Sequence, residues 1–526
     1  MKKGKLANII CGLIWLCQAA AEFAAAAAIW RLGMLPDKYF VILAAALVAV
    51  WALVGVIFFL PKAKKKIGAF LKKQKLGIGL FRRFTGCVIA FAMILGCLVV
   101  SNVASDVYSA VDGITGAAEV IHVAMSVYVM AEDPAQTISD LSGGTIAAAE
   151  GVDTQRTEKA LETIRQELGE NLTVRYCGTL TELVEGLYQG QVDAIILNSA
   201  YISLLEDTEE YMDFSLKTRI LHTAMLEEEA PVYQPEPEET TLPQNTEETL
   251  PIQKPFQIDE DPFILYISGS DTLDYYLTTS RSDVNILMVV NPSTKMVLLL
   301  NTPRDYYVAN PAGGGAMDKL THCGIYGTAC SMDALEGLYG IDIRYYAQIN
   351  FTGVETLVDA VGGVDVYSDV AFTAGWVTPI QVGWNHLNGE ETLRFARDRY
   401  SHAGGDNTRG RNQMKVIQAL ISKFSSSETI VKNYAAILDS IQGMFKTDVS
   451  AEEIGKLVKM QLEDMPQWNI VTYAVTGTGG SDITYSMPGL YCYVSYPNQD
   501  TVDYGAELIQ RVFDGEILTS EDMICP

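Results

Sequence analysis

The sequence predicts a membrane-anchored α/β protein, with a central mixed sheet flanked by helices and a smaller α/β accessory domain before it. Three observations carry the prediction. Three apolar runs crowd the first 105 residues. Helical and strand-like patterns then alternate in two separate regions. A Pro- and Glu-rich tract divides those regions. A chain of 526 residues has room for two or three domains. The predicted boundaries are 1–105 for an anchor with three transmembrane helices, 106–226 for the accessory domain, 227–256 for an acidic linker and 257–520 for the main domain.

The apolar runs are Ile9 to Ile29, Tyr39 to Leu60 and Cys87 to Ala104, each near the ~20 residues a helix needs to cross a bilayer. Lys2, Lys3 and Lys5 precede the first run. Lys62, Lys64, Lys65, Lys66, Lys72, Lys73, Lys75, Arg82 and Arg83 lie between the second and third. The positive-inside rule places both basic segments in the cytoplasm and everything after about residue 104 outside the cell. The basic loop sets topology and meets anionic headgroups. The net charge of −26 and pI near 4.6 conceal this asymmetry, since nearly all the excess acid follows residue 106. An acidic outer part excludes a general nucleic-acid binder, which needs a cationic surface. The nine cysteines include no CxxC, which argues against zinc. Cys323 and Cys330 flank a short turn, and their pairing is left open.

In the accessory region TEKALETIRQELG reads as an amphipathic helix, NLTVRYC as a strand and GTLTELVEGLYQG as a second helix. VDAIILN reads as a buried strand and SAYISLLEDTEEYMDF as another helix. This alternation resembles part of a periplasmic solute-binding domain, and it suggests a docking or accessory module without chemistry of its own. From Glu227 to Pro255 prolines and carboxylates preclude a core, as expected of a spacer.

The main domain begins with PFILYISGSD, a strand that ends by presenting Asp271. SRSDVNILMVVNPSTKMVLLLNTPRD reads as two strands joined at NPSTK. That hairpin returns Arg304 toward Arg281 and Asp283. CSMDALEGLYG and FTGVETLVDAVGG are helices, YYAQINF and VDVYSD strands. Polar residues at the carboxyl ends of buried strands are where α/β proteins build sites. Arginine's planar fork fits phosphate oxygens, and carboxylates beside it suit a hard cation. Asp271 and Asp283 are therefore the candidate metal ligands, and Arg281, Arg304, Arg397 and Arg399 the candidate phosphate clamps. GGDNTRGRNQ reads as a glycine-led loop entering the helix MKVIQALISKF, placing Arg409, Arg411 and Gln413 near an anion at the helix start. It contains no GxxxxGK[ST], so a nucleotide is not indicated. GTGGSD at 477–482 reads as a turn between strand-like segments, and DTVDYGAELIQRVFDG as a final helix of the same domain.

SGSD at 268–271, SRSDVNIL at 280–287, TPRDYY at 302–307, DKLTHCGIYG at 318–327 and INFTG at 349–353 occur in that order. LVDAVGGVDVY at 357–367, HLNGEETLRFARDRY at 386–400 and GGDNTRGRNQ at 404–413 follow. Together they resemble the LytR-CpsA-Psr family, particularly its capsule-assembly branch in Gram-positive bacteria. The resemblance implies a cell-membrane phosphotransferase that moves a glycopolymer, such as capsular polysaccharide or teichoic acid, from a polyprenyl-pyrophosphate carrier to peptidoglycan. It implies Mg2+, or Mn2+ in its place, on Asp271 and Asp283, and a long apolar cavity for the lipid. The pyrophosphate falls to Arg281, Arg304, Arg397, Arg399 and Arg409, with Arg411 and Gln413 close by. Catalysis is expected of Asp283, Arg281, Arg304, Asp305 and Arg397, with Asp283 and Asp305 both open as the group that deprotonates the acceptor. Envelope-assembly proteins are expected partners for the accessory domain, and nucleic acid is not. The rival readings are a lipid-phosphate-binding scaffold and a membrane regulator of wall-gene expression. The second is disfavoured because little chain faces the cytoplasm.

Overall fold

A computed structural model describes the whole chain except residues 1, 60–74, 116–119, 151–152, 169–171, 230–254, 273–275, 400–404, 426–435 and 526. The basic loop, most of the acidic linker and Tyr400 with the start of the GGDN tract therefore lie outside the described residues.

Three helices open the chain, α1 (Lys2–Leu32), α2 (Asp37–Phe59) and α3 (Lys75–Thr115). Each contains a stretch long and apolar enough to cross a membrane, with mean hydropathy 1.7, 2.9 and 2.4 in turn. Trp15 stacks on Trp51 at 4.2 Å and donates its indole N–H to the Trp51 carbonyl. Residues 1–112 form one unit, together with 430–439 and 450–466. The helix Ala451–Asp464 thus groups with the apolar helices. It is capped by Ser450 with Glu453, and its Lys459 pairs with Asp37 at 2.9 Å.

The second unit, residues 113–429, 440–449 and 467–526, contains both α/β regions. The first is a five-stranded sheet of β1 (Val120–Met130), β2 (Thr145–Ala149), β3 (Thr173–Cys177), β4 (Ala194–Asn198) and β5 (Thr218–Glu229), in the order β3-β2-β4-β1-β5. β2 runs parallel to β3 and β4, whereas β1 is antiparallel to β4 and β5. Helices α4 (Thr154–Leu168) and α5 (Leu180–Tyr188) match the predicted amphipathic patterns. The segment expected as one helix from Ser199 is instead broken. A 3-10 turn leads into α6 (Ile202–Glu206), Asp207 ends it, and α7 (Phe214–Lys217) follows. Tyr201, Leu204, Leu205, Tyr211 and Phe214 nevertheless all reach the core beside this sheet.

The main sheet has six strands, β6 (Phe263–Ser270), β7 (Ser282–Asn291), β8 (Met296–Asn301), β11 (Tyr345–Asn350), β16 (Phe445–Thr447) and β17 (Asn469–Ala474). Their order is β16-β11-β6-β7-β8-β17. Between them in sequence come the ribbon β9 (Tyr307–Asn310) with β10 (Ala316–Lys319), and the ribbons β12 (Val364–Ser368) with β15 (Gly383–Leu387) and β13 (Phe372–Ala374) with β14 (Thr378–Ile380). β11 pairs parallel with β6, β17 parallel with β8, and β7 is antiparallel to both neighbours. Four strands therefore point their carboxyl ends the same way, and central β7 begins at that edge. All six residues of β8 are buried, as an apolar run in a central strand requires.

The helices of this domain are α8 (Leu320–Cys323), α9 (Thr328–Tyr339), α10 (Phe351–Ala360), α11 (Gly389–Arg397) and α12 (Gly405–Phe424). Asn350 caps α10 through the Gly353 amide, and Asn388 with Glu391 forms a capping box on α11. The GTGGSD segment corrects the expected turn. It lies in the strand Gly477–Thr484, paired antiparallel with Met487–Pro497. A Cβ at Gly480 would stand 2.3 Å from the Tyr496 ring, so the glycines there make room for aromatic neighbours. All nine cysteines lie among the described residues and are free thiols. Cys323 and Cys330 are adjacent and buried, and Cys330 turns its sulfur to Asn310 Oδ1 at 3.3 Å.

Candidate functional site

Two neighbouring cross-strand pairs bring the charges together. β6 pairs Ser270 with Ser282, which sets Asp271 beside Arg281. β7 pairs Ile286 with Asn301, and Thr302 donates its amide to Asn285, so Arg304 arrives beside Asp283. The start of β7 is braced from below. Tyr266 donates its hydroxyl to Asn285 Oδ1 at 2.6 Å, and Asn285 donates to the Ser282 carbonyl. The turn at Gly324 presses on the same segment. A Cβ there would lie 2.6 Å from the Ser282 amide and 2.7 Å from the Ser280 carbonyl, so glycine is what permits the approach.

Asp283 is buried and held by three partners. Arg304 Nη1 stands 2.7 Å from Oδ1, Thr321 Oγ1 3.3 Å from the same oxygen, and Arg409 Nη1 3.5 Å from Oδ2. Burial pushes its carboxyl up, but Arg304, then Arg409 and Arg281, outweigh burial and hold it well below the usual carboxylate range. Asp271 goes the other way. Burial and then the Asp283 charge raise it, with Arg281 offsetting part of the effect. Arg281 gives Nε and Nη2 to Asp271 at 3.1 and 2.9 Å. Asp305 lies 3.6 Å from Arg304 Nε and 3.4 Å from Lys319 Nζ, both buried.

A polar cavity of about 270 Å3 opens next to Asp283, lined by Arg397, Arg399, Arg409, Gln413 and Phe351 as well. Arg397 spreads over the Phe351 ring at 4.4 Å. Alongside lies an apolar cavity of about 300 Å3 between β6, β7, β11 and helices α10, α11 and α12. Its walls include Ile267, Leu357, Val416, Leu420 and Phe424. Phe351, Arg397 and Gln413 line both cavities.

Of the predicted site residues, Asp283, Arg397, Arg399, Arg409 and Gln413 meet at the polar cavity. Arg281, Arg304, Asp271 and Asp305 form the ionic layer behind and beside Asp283, outside the cavity lining. Arg411 stands apart on the exposed face of α12. The expected glycine-led loop is in fact helix from Gly405, which puts Arg409 and Gln413 on one face and Arg411 nearly opposite. Asn412 is buried and donates to the Phe395 carbonyl, tying α12 to α11. Gly410 allows α12 to reach β8, since a Cβ there would sit 2.3 Å from Asn301. Sequence reading missed Thr321, Lys319, Phe351 and Asp207. The first two lie in the DKLTHC motif and Phe351 in INFTG, so position in a motif was a signal. Asp207 carried none.

Among the described residues no group of three or more His, Cys, Asp or Glu side chains gathers as a cation cage. Mg2+ commonly takes one or two protein carboxylates and completes its shell with water and phosphate oxygens. Asp271 and Asp283 fit that pattern. The charge of one raises the other, and a divalent cation would relieve that repulsion.

The LytR_cpsA_psr family matches residues 233–501, more than half of the chain. A polyisoprenyl-teichoic acid–peptidoglycan teichoic acid transferase, TagU of Enterococcus faecalis, is 36% identical over 217 residues, 40% of this chain and 71% of the relative. TagU of Oceanobacillus iheyensis is 32% identical over 228 residues, 42% of this chain and 69% of the relative. The crystal structure of B. subtilis TagV is 25% identical, covers 48% of this chain and 98% of that one, and superposes with a TM-score of 0.40. The family match spans the strands, helices and arginines that build the two cavities, and the chain belongs to the LytR_cpsA_psr family.

Proposed function

We propose that this chain transfers a glycopolymer from a polyprenyl-diphosphate carrier to peptidoglycan, with a teichoic acid or a capsular polysaccharide as cargo. One observation carries the reading: an arginine-lined polar cavity shares Phe351, Arg397 and Gln413 with an apolar one. A ligand filling both must be an anion joined to a hydrocarbon chain. The similarity to TagU proteins, which are named as teichoic acid transferases, supports the same conclusion.

In this reading Arg397, Arg399 and Arg409 receive the diphosphate, and Gln413 supplies a neutral polar contact. The acceptor sugar hydroxyl attacks the phosphorus that carries the glycan. The phosphoanhydride bond to the lipid-side phosphate breaks, and lipid monophosphate departs, its new anionic oxygen taking up the proton the hydroxyl releases. Mg2+ on Asp271 and Asp283 would neutralise charge gathering on the diphosphate oxygens. Its depressed pKa makes Asp283 a poor proton acceptor. Asp283 is therefore assigned to cation and arginine binding, rather than to deprotonating the acceptor. Arg281 and Arg304 hold the two carboxylates and leave direct phosphate contact to the other three arginines.

The helices α1, α2 and α3 are read as three membrane crossings, with the large C-terminal part outside a Gram-positive cell. Full-length protein in detergent, given lipid-diphosphate-linked oligosaccharide, peptidoglycan and Mg2+, should attach glycan covalently to peptidoglycan. Arg397→Ala and Asp283→Ala should abolish attachment. Glycan that stays on its lipid with the wild-type chain, across teichoic-acid and capsular donors, would refute the reading.

A further inference from the structure

The accessory region contributes a carboxylate to the ionic layer. Asp207, just after α6, places Oδ2 2.5 Å from Arg281 Nη1 and 4.0 Å from Arg304 Nη2. The Ser203 carbonyl accepts from the same Nη1 at 3.3 Å. Arg281 thus spends Nε and Nη2 on Asp271 and Nη1 on the accessory region. It stands outside the lining of the polar cavity. Arg281 is a strut in this arrangement, and Asp207 holds its outer end. Arg304 reaches from the same Asp207 oxygen to Asp283. One carboxylate oxygen therefore bridges the two arginines that orient Asp271 and Asp283.

Other contacts fix the placement of Asp207. The main-chain carbonyl of His122 in β1 accepts from the Thr279 amide at 2.9 Å, two residues before Arg281. Tyr201, fully buried, shares a hydrogen bond with Tyr326 at 3.3 Å, in the turn that presses on Ser282. Charge counting agrees. Arg281, Arg304, Arg409 and Lys319 face Asp207, Asp271, Asp283 and Asp305, four against four. Asp207 itself reaches solvent, and without it Arg281 and Arg304 are left to the remaining carboxylates, which draws Asp271 and Asp283 from their places.

We propose that Asp207 is a positioning residue of the transfer site: through Arg281 and Arg304 it sets the places of Asp271 and Asp283, which makes the accessory region part of the catalytic apparatus. The proposal rests on the transfer reading above, but its test separates the two. The probe is farnesyl diphosphate, bound to the full-length chain in detergent with and without Mg2+, alongside the transfer assay. Wild type should bind the probe more tightly with Mg2+. Asp207→Asn should reduce that Mg2+-dependent gain and kcat for transfer by about tenfold each, with KM for peptidoglycan unchanged, as expected for a residue acting through ligand-holding groups. Asp207→Glu should recover most of both. Arg281→Gln should lose at least as much as Asp207→Asn, and Asp207→Asn should cost less on top of Arg281→Gln than it does alone.

An Asp207→Asn chain that matches wild type in both readouts overturns the proposal, as do effects that multiply in the double variant. A melting temperature for Asp207→Asn close to wild type separates positioning from unfolding. A wild-type chain that binds the probe but transfers nothing refutes the transfer reading, and the binding arm still decides Asp207. A chain that does neither refutes both.

Discussion

Arg304 Nη1 lies 2.7 Å from Asp283 Oδ1, and both side chains are buried. Two strands that meet at one edge of the sheet create this pair, and Arg409 joins it from α12. Asp283→Asn should therefore lower the melting temperature at pH 7, by the equivalent of about 3 kcal/mol for an uncompensated buried pair. The folded pKa is depressed, so the carboxylate's contribution is complete above its unfolded pKa of about 3.9 and is lost as pH falls further. Melting scans of both chains should run parallel from pH 7 to about pH 4 and then draw closer toward pH 3 without meeting, because the folded pKa lies well below that range.

The positions of the arginines separate their roles. Arg397→Gln, Arg399→Gln and Arg409→Gln should each weaken farnesyl diphosphate binding by about tenfold or more, since each removes a charge-assisted contact worth roughly 1.5–3 kcal/mol. Arg411→Gln should bind like wild type, because its side chain stands on the exposed face. Titration calorimetry measures all four, and equal losses at Arg411 and Arg409 would contradict the assignment.

The apolar cavity should discriminate by chain length. Ile417→Trp fills space among Leu420, Val354 and Phe445. It should lower affinity for a long polyprenyl diphosphate by about tenfold or more and leave geranyl diphosphate nearly unaffected, at a packing cost of about 1–3 kcal/mol. Competition between the two lipids on the variant reads this directly.

Gly324→Ala tests the bracing of β7. The added carbon meets backbone, which cannot rotate away, so Ser280 to Asp283 must move. Transfer should fall by about tenfold or more with a melting temperature loss equivalent to about 1–3 kcal/mol. The Gly337→Ala control has open space for its Cβ and should lose neither.

Asp333 in α9 offers a pH test away from the site. Burial, then Glu336, raises its pKa to about 6. A raised carboxylate pKa means the folded chain binds the proton more tightly, so stability falls as pH rises from the unfolded pKa of about 3.9 to about 6 and levels off above it. Asp333→Asn should raise the melting temperature at pH 7.5, raise it less at pH 5 and change it little below the unfolded pKa of about 3.9.

Strand ends and helix patterns showed in the sequence because burial imposes period and apolar runs. NPSTK and the flanking valines and leucines were enough to place Arg304 beside Asp283. Arg411 was misplaced because Gly405 and Gly410 look like loop. The glycine at 410 serves instead as a contact point with Asn301, and helical phase then sends Arg411 outward. GTGGSD was misread for a similar reason, its glycines accommodating rings such as Tyr496 across a strand pair. Asp207 was out of reach of local reasoning. Nothing in EDTEEY marks one acid among several, and its partner Arg281 lies 74 residues onward. Pairing across that separation is a property of the folded unit alone.

The side chains common to both cavities have a consequence for turnover. Phe351, Arg397 and Gln413 touch whatever joins the anionic head to its hydrocarbon tail. In the proposed reaction the departing lipid monophosphate retains that junction and the whole tail, losing one phosphate and the glycan. Such a product competes with fresh donor for the same walls. The rate at which the surrounding membrane draws it away would then set the pace of polymer attachment, and added lipid monophosphate would slow the enzyme in proportion to its chain length.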